Sequence, residues 1–324
     1  MQQPDVSPEV LILSNSNDFS TDHVCYQLHR LGASYLRLNR DELDHCEVRL
    51  IPTIPQLRVK RDDTAYCVDS SRLKSIYFRA PVFLRDVYQP NIDLLEQLKR
   101  TQWASFIRNL TVFEKCKWIN SPQATYAAEM KALQLYKANG IGLKVPLTEI
   151  ANSVPHSLAE CNYIAVKTID AAVVNKDGKQ GFIYTNFYEF EELSKCSMRE
   201  VPSIFQKALV PKVDLRVTII GDTVYAAEIT NSEEDVSGDW RLEMNVNLKY
   251  KPVELPQQIA SKCKALLREL DLVFGGVDLI MYEGEYYFVE VNPTGEWAWL
   301  MPQTAFGIDE TIAKLLIEGH GNDK

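Results

Sequence analysis

The sequence predicts a mixed α/β and α+β chain: an N-terminal α/β layer followed by units built largely on antiparallel strands. Three observations carry this. The chain opens in the order strand, loop, helix, strand. From residue 144 onward, strands mix with helices rather than alternating strictly with them. Two pairs of long apolar runs are joined by short turn signals, Gly221-Asp222 and Glu283-Gly284, as β-hairpins are.

The first strand is the apolar run at residues 10–13, followed by a Ser/Asn/Asp loop at 14–22. A helix from about residue 23 to 31 stops at Gly32, and a second strand covers 34–38. This order resembles half of a nucleotide-binding layer, yet its loop has no glycine-rich phosphate fingerprint and takes no phosphate role. Residues 46–70 read as an antiparallel excursion, and 75–78 as another strand ending in Arg79-Ala80-Pro81. Helical patterning at 92–113 puts Trp103, Phe106, Ile107 and Leu110 on one side. Ser121 as N-cap with Pro122 at the first helical position starts a helix to Asn139, stopped by Gly140. Strands follow at 144–150, 163–169, 181–187 and 205–210, with a turn at 175–179. Residues 214–220 and 223–230 form a hairpin. An amphipathic helix opens at Pro256, with Ile259, Cys263, Leu266, Leu267 and Leu270 in register, and the last helix spans 309–317.

With 324 residues, 46% of them hydrophobic, the chain can fill two or three cores. The expected divisions are 1–118, 119–200 and 201–324. A net charge of −9 argues against a nucleic-acid or membrane-surface partner, which needs a basic footprint. Seven dispersed cysteines without a Cys-x-x-Cys pair fit reduced thiols. The N-terminus lacks a signal-peptide pattern, and no apolar run reaches membrane-spanning length, so a cytoplasmic protein is expected.

The chemistry concentrates in the second hairpin. Glu290 and Asn292 lie two residues apart and leave the same face of a strand. A three-residue loop, Tyr282-Glu283-Gly284, sets Asp278 opposite Phe288, on that same face and diagonal to Glu290. A two-residue loop would flip Asp278 away. Three oxygen-bearing side chains in otherwise apolar strands suit Mg²⁺; a solvated hairpin face is the other reading. Lys167 interrupts the strand Ile-Ala-Val-Lys-Thr-Ile, where a phosphate would offset its burial. Lys131, alone, reads as an exposed helix lysine. Asp214 and Arg216 share one strand face, either as a surface pair or with Arg216 as a fork for phosphate or carboxylate. Arg241 lies in Ser-Gly-Asp-Trp-Arg after an acidic loop, and Trp297 and Trp299 read first as packing residues. There is no Walker lysine motif and no Gly-x-Ser-x-Gly. Together the inventory is a Mg²⁺ site with cations for phosphate, as ATP-dependent phosphoryl or acyl transfer requires.

Several strings extend the pattern. They are Tyr77-Phe78-Arg79-Ala80-Pro81, Asn120-Ser121-Pro122, Pro211-Lys212-Val213-Asp214-Leu215-Arg216, Gly238-Asp239-Trp240-Arg241, Gly276-Val277-Asp278-Leu279 and Val289-Glu290-Val291-Asn292-Pro293-Thr294-Gly295-Glu296-Trp297. With these the chain resembles the ATP-grasp ligases. Within them it is similar to the microviridin-type (graspetide, or omega-ester peptide) maturases of the ester-forming, MvdD-like kind.

The resemblance implies an ATP-grasp fold with an N-terminal pre-ATP-grasp domain, a central subdomain and a C-terminal antiparallel-sheet subdomain. It implies ATP and Mg²⁺ as cofactors, a ribosomal precursor peptide as partner, and a homodimer. Lys131 and Lys167 would contact ATP phosphates, with residues 205–209, including Gln206, Lys207 and Leu209, behind adenine and Asp214 beside the nucleotide. Asp278, Glu290 and Asn292 would hold Mg²⁺, and Arg216 and Arg241 would steady the γ-phosphate and acyl phosphate. An Asp or Glu side chain of the peptide would be phosphorylated, and a Thr or Ser hydroxyl would then close a lactone. Two rivals keep the fold: an amide-forming ligase, and an inactive nucleotide- or peptide-binding domain. The sequence departs from the family at Gln206, where many members have Glu, and at Ala171-Ala172, which replace glycines in the phosphate-covering loop.

Overall fold

A computed structural model describes residues 5–79, 92–170, 173–176, 179–230 and 248–319. In chain order it begins β1 (Val10–Ser14), α1 (Phe19–Arg30), β2 (Tyr35–Asn39), then β3 (Glu47–Ile51), β4 (Gln56–Arg61) and β5 (Thr64–Asp69). There follow β6 (Ser75–Phe78), α2 (Leu94–Asn109) and β7 (Lys117–Ile119). Strands β3, β4 and β5 form the expected antiparallel excursion, and the others a parallel sheet in the order β2-β1-β6-β7. Both faces of that sheet are covered, which explains the unbroken apolar run of β1. Val10, Ile12 and Tyr77 share one cluster with Val24 and Leu28 of α1; Leu11, Leu13, Ile76 and Phe78 share another with Ile107 of α2.

Helix α1 starts well before the expected residue 23. Asp18 acts as N-cap, accepting from the Thr21 amide at 3.0 Å. Ser20 and Thr21 are thus buried and satisfied inside a segment that composition alone marks as loop.

The middle of the chain gives α3 (Pro122–Ala128), α4 (Lys131–Gly140), β8 (Thr148–Ala151), β9 (Ile164–Lys167), β10 (Val173–Lys176), β11 (Lys179–Phe182), β12 (Asn186–Tyr188), α5 (Phe190–Ser194) and β13 (Ser203–Lys207). The single helix expected from 122 to 139 is two. Met130 turns extended, φ −75 and ψ 97. Gln134 then donates to the Ala128 carbonyl left at the end of α3 (2.5 Å) and to Val291 O (2.8 Å). No glycine or proline marks this break, because a tertiary contact makes it. Gly140 remains helical, and Gly142, at φ +79, is the left-handed terminator. The strand expected at 144–150 is shorter: Lys144 makes only an isolated bridge to Tyr287 before β8 begins. Likewise β13 ends at Lys207 rather than 210. The sheet order is β12-β9-β13-β8, antiparallel throughout.

The C-terminal part holds β14 (Val213–Ile220), β15 (Thr223–Thr230), β16 (Lys249–Pro252), α6 (Gln257–Glu269), β17 (Phe274–Tyr282), β18 (Glu285–Asn292), α7 (Met301–Thr304) and α8 (Ile308–Glu318). Strand β16 and helix α7 carry no periodicity or turn signal strong enough to announce them in the sequence. The five strands form one antiparallel sheet, β16-β15-β14-β17-β18. One face, through Leu215, Val217, Ile219, Val277 and Leu279, packs on Ala128, Ala138, Cys263, Leu266 and Leu267 of the flanking helices. The opposite face changes character along β14: Asp214, Arg216, Thr218, then Ile220, which joins the N-terminal core. That core also takes Trp297 and, from α8, Ile308, Ile312 and Leu316.

All seven cysteines are free thiols, and burial pushes Cys116 and Cys263 up to about 12. Among the described residues no helix is long and apolar enough to cross a membrane. Trp297 is fully buried where the two layers meet. Trp297→Ala is therefore expected to cost about 3–5 kcal/mol in urea unfolding. Tyr136→Ala, at an exposed position, is expected to stay within about 0.5 kcal/mol. Equal costs would show that Trp297 does not join the layers.

Candidate active site

The hairpin β17–β18 sets the site, but not by the expected register. The loop has two residues, Glu283-Gly284, both with positive φ (50 and 76), so Tyr282 pairs with Glu285. Counting on from there would put Asp278 opposite Val289, on the wrong face. A β-bulge at this point instead pairs Asp278 with Glu290 directly. The bulge also lets Phe288 and Val291, three residues apart, pack on the same helical layer. The shared face of Asp278, Glu290 and Asn292 therefore holds, while the three-residue loop and the Asp278–Phe288 pairing do not.

The three side chains meet. Asn292 Nδ2 lies 3.4 Å from Asp278 Oδ2 and 3.4 Å from Glu290 Oε1. A half-turn of the amide presents Oδ1 to the same point. Four carboxylate oxygens and one amide oxygen are hard donors that fit Mg²⁺ with water and phosphate completing its shell. Among the described residues no group of three or more His, Cys, Asp or Glu is arranged to hold a metal.

Cations already face these carboxylates. Arg216 Nη1 donates to Asp278 Oδ1 at 2.7 Å, and Lys131 Nζ lies 3.5 Å from Glu290 Oε2. Lys131 is the first residue of α4, where a positive charge opposes the helix dipole. It is half-buried rather than an exposed helix lysine. Nor do Asp214 and Arg216 form a surface pair. Both are buried, Asp214 engaging Lys212 and Arg216 engaging Asp278. Such pairs matter because stripping one partner from a buried pair costs about 3–5 kcal/mol.

Several of these groups line an open cleft between the sheets of β13 and β14, with Arg216 and Asn292 beside it. Lys131, Lys167, Gln206, Lys207, Leu209, Asp214, Asp278 and Glu290 all border it. Gln206 bridges two side chains, accepting from Lys167 Nζ at 2.7 Å and donating to Thr148 Oγ1 at 2.8 Å. It thereby holds the lysine over the cleft without competing for it as a carboxylate would. Arg241 and the Asp239-Trp240 string lie outside the described residues, as do Ala171, Ala172, Asp177 and Gly178 of the expected phosphate-covering loop.

A second arginine escapes a reading of the sequence alone. Arg79, at the end of β6, is fully buried and donates to Thr294 O (2.6 Å), Glu296 Oε1 (2.7 Å) and Asp18 Oδ2 (3.3 Å). Burial alone would lower its pKa, but Tyr77, Asp18 and Glu296 together hold it above the usual arginine value. Asn120 grips the same region, donating to Phe274 O (2.8 Å) and Pro293 O (2.9 Å). The available signal was an arginine closing a short strand, Ser75–Phe78, with no other charged residue. On the opposite side, Arg216 Nη2 donates to Glu296 O at 3.2 Å and the guanidinium lies 5.8 Å from the Trp299 ring. Gly276 and Gly295 make room for it: a Cβ there would sit 3.0 Å and 3.2 Å from Arg216 atoms.

Two antiparallel sheets enclosing a cleft, with lysines on one wall and paired carboxylates on the other, define an ATP-grasp ligase. The chain belongs to the RimK-like ATP-grasp family, whose model matches residues 129–316. It shares its fold with the RiPP-associated ATP-grasp ligase of Chryseobacterium gregarium, solved with ADP and a leader and core peptide (TM-score 0.80, 24% identity, 97% of each chain). Macrocyclase MdnC of Microcystis aeruginosa MRC, bound with precursor peptide MdnA, has a TM-score of 0.79 and 23% identity, covering 95% of this chain and 99% of that one. A curated relative, the alpha-aminoadipate–LysW ligase LysX of Sulfurisphaera tokodaii, is 21% identical over 261 residues, 74% of this chain and 88% of that protein.

Burial alone would raise the Asp18 carboxyl, but Arg79 and hydrogen bonds from Thr21 and Ser14 hold it below its ordinary value. A carboxylate lowered on folding contributes stability that is present above its ordinary value of 3.8 and lost as the pH falls through the lower folded value. Asp18→Asn is therefore expected to flatten the loss of unfolding free energy below about pH 4. An unchanged acid limb in urea titrations would remove Asp18 from the acid response.

Proposed function

We propose that the protein is an ATP-dependent ligase that cyclises a ribosomally made precursor peptide through omega-ester links. The observation that carries this reading is the likeness over 97% of the chain, N-terminal layer included, to a ligase solved with ADP and with leader and core peptide. In this reading Lys131 and Lys167 meet the ATP phosphates. Gln206, Lys207, Leu209 and Asp214 border the nucleoside, and Asp278, Glu290 and Asn292 hold Mg²⁺. Bound there, the metal neutralises charge gathering on the phosphates.

A peptide Asp or Glu oxygen attacks the γ-phosphorus, and ADP leaves with the former bridging oxygen. A Thr or Ser hydroxyl oxygen then attacks the acyl carbon; phosphate departs and the hydroxyl proton is released. The net change is one water lost from the peptide per ring. This reading gives Arg216, held against Asp278, the transferred phosphoryl group, and gives Arg241 the same role from the sequence. Carboxylates that neutralise Arg216 and Lys131 in the protein alone are the groups that the metal would claim, leaving both cations for phosphate.

The likeness to LysX, an amino-acid ligase by its name, favours a second reading in which an amide is formed instead. One assay separates them: any short Thr- and Glu/Asp-rich peptide found in a neighbouring reading frame is incubated with ATP and Mg²⁺ and weighed. Loss of one water per ring supports esters with no added residue; gain of an amino-acid residue supports the second reading. Hydroxylamine or mild base cleavage distinguishes ester from lactam. Asp278→Asn and Glu290→Gln are each expected to slow dehydration about a hundredfold or more, the rate equivalent of losing several kcal/mol of charge stabilisation. Unchanged turnover in both would overturn the metal assignment. Arg241→Ala is expected to lower the rate far more than ATP affinity; a change in affinity alone would overturn its role.

A further inference from the structure

We infer that Arg79 is a positioning residue for the phosphoryl-transfer site, acting through the segment Thr294-Gly295-Glu296 on Arg216. The inference deepens the proposed reading and rests on its assignment of Arg216 to the γ-phosphate.

The geometry is a relay. Arg79 comes from β6 in the N-terminal layer and is remote in sequence from the hairpin. It grips the near side of the segment at Thr294 O (2.6 Å), at Gly295 O (3.4 Å) and at the Glu296 carboxylate (2.7 Å). Ser20 of α1 also donates to Glu296. Arg216 holds the far side, through Glu296 O at 3.2 Å, and its Nη2 lies where a Gly295 Cβ would come within 3.2 Å. Arg216 and Arg79 thus hydrogen-bond to the same short segment, so a shift of that segment moves the Glu296 carbonyl that Arg216 uses. Trp299 Nε1 donates to the same Glu296 carbonyl at 3.0 Å, so carbonyl, ring and guanidinium form one block.

Arg216 has little else to fix it. Nη1 goes to Asp278 (2.7 Å), while its Nε is buried with no hydrogen-bond partner. When the carboxylate face of Asp278 is shared with an incoming cation, the Glu296 carbonyl becomes the anchor that keeps the fork aimed. Arg79 carries that anchor. A buried guanidinium with five donors in a fixed fork suits this: it can hold two backbone carbonyls and two carboxylates at once, which a lysine cannot.

The test measures γ-phosphate discrimination, the ratio of dissociation constants for ADP and for the non-hydrolysable analogue AMPPNP with Mg²⁺, on the full chain and without peptide. Arg216→Lys is expected to lower this ratio about tenfold, the loss of one charge-assisted hydrogen bond. Arg79→Met is expected to lower it by a similar factor while leaving ADP affinity within about twofold. The double variant is expected to lose no more than Arg216→Lys alone, because the two act in series. Losses that multiply, or a wild-type ratio in Arg79→Met, would overturn the inference. If Arg79→Met fails to fold, Arg79→Lys carries the same cycle, since a lysine keeps the buried charge but cannot hold both carbonyls and both carboxylates at once. No loss of discrimination in Arg216→Lys would instead overturn the phosphate role of Arg216, and with it this inference. Failure of the peptide to cyclise leaves the measurement intact and touches only the proposed reaction.

Discussion

Arg216 and Asp278 are buried side by side in the middle of a β-sheet, and much of the C-terminal architecture follows from making that tolerable. A guanidinium and a carboxylate withdrawn from water cost several kcal/mol each unless their geometry is good. The pair sits on directly opposed positions of β14 and β17 and meets at 2.7 Å. Gly276 leaves the slot that the guanidinium occupies, and Gly295 lets the following turn close over it. The bulge in β18 brings Glu290 and Asn292 to the same face, so the carboxylate has polar neighbours rather than apolar ones. Remove any of these and the arginine is buried without its partner or has no room.

A shared apolar core and a second arginine, Arg79, hold the N-terminal layer closely on the C-terminal sheet. Trp297, Ile308, Ile312 and Leu316 fill one core with Val10, Ile12 and Tyr77, so that the polar string after β18 is pressed against the end of β6. Arg79 reaches that string because β6 ends there. Its carboxylate partners come from different elements, Asp18 from the cap of α1 and Glu296 from the string. An apolar interface alone would permit sliding; a buried fork with fixed partners sets the register between the layers.

The secondary structure was largely legible because period and turn chemistry are local. Both hairpins, the N-terminal strand-helix-strand order, the Ser121-Pro122 start and the face shared by Glu290 and Asn292 follow from residue spacing, whereas Asp278 joins that face only through the bulge. What was not legible depends on partners distant in sequence. The break at Met130 exists because Gln134 satisfies Ala128 and Val291, and no local residue announces it. The bulge answers the need to turn both Phe288 and Val291 toward the helices, which alternation within β18 cannot state. The burial of Asp214 and Arg216 was hidden for the same reason: a polar face of a strand looks identical whether it meets water or a charged cleft. The motif Pro-Thr-Gly-Glu-Trp carried only resemblance, yet three of its residues have plain physical roles. Gly295 clears space, Glu296 receives both arginines, and Trp297 fills the core.

The charge balance of the cleft resolves an apparent conflict. A chain of net charge −9 repels a polyphosphate at long range, and salt screens that repulsion within about 8–10 Å. Inside that distance the local arrangement decides. In and beside the cleft Lys131 pairs with Glu290, Arg216 with Asp278 and Lys212 with Asp214, and Lys167 donates to Gln206. With carboxylates answering most of its cations, the cleft avoids the cost of unpaired buried charge. Under the proposed function, a nucleotide with a divalent cation would bring both signs at once and could exchange partners without leaving any group bare. A Glu at position 206 would add a further carboxylate beside Lys167; the glutamine orients the lysine without adding that negative charge.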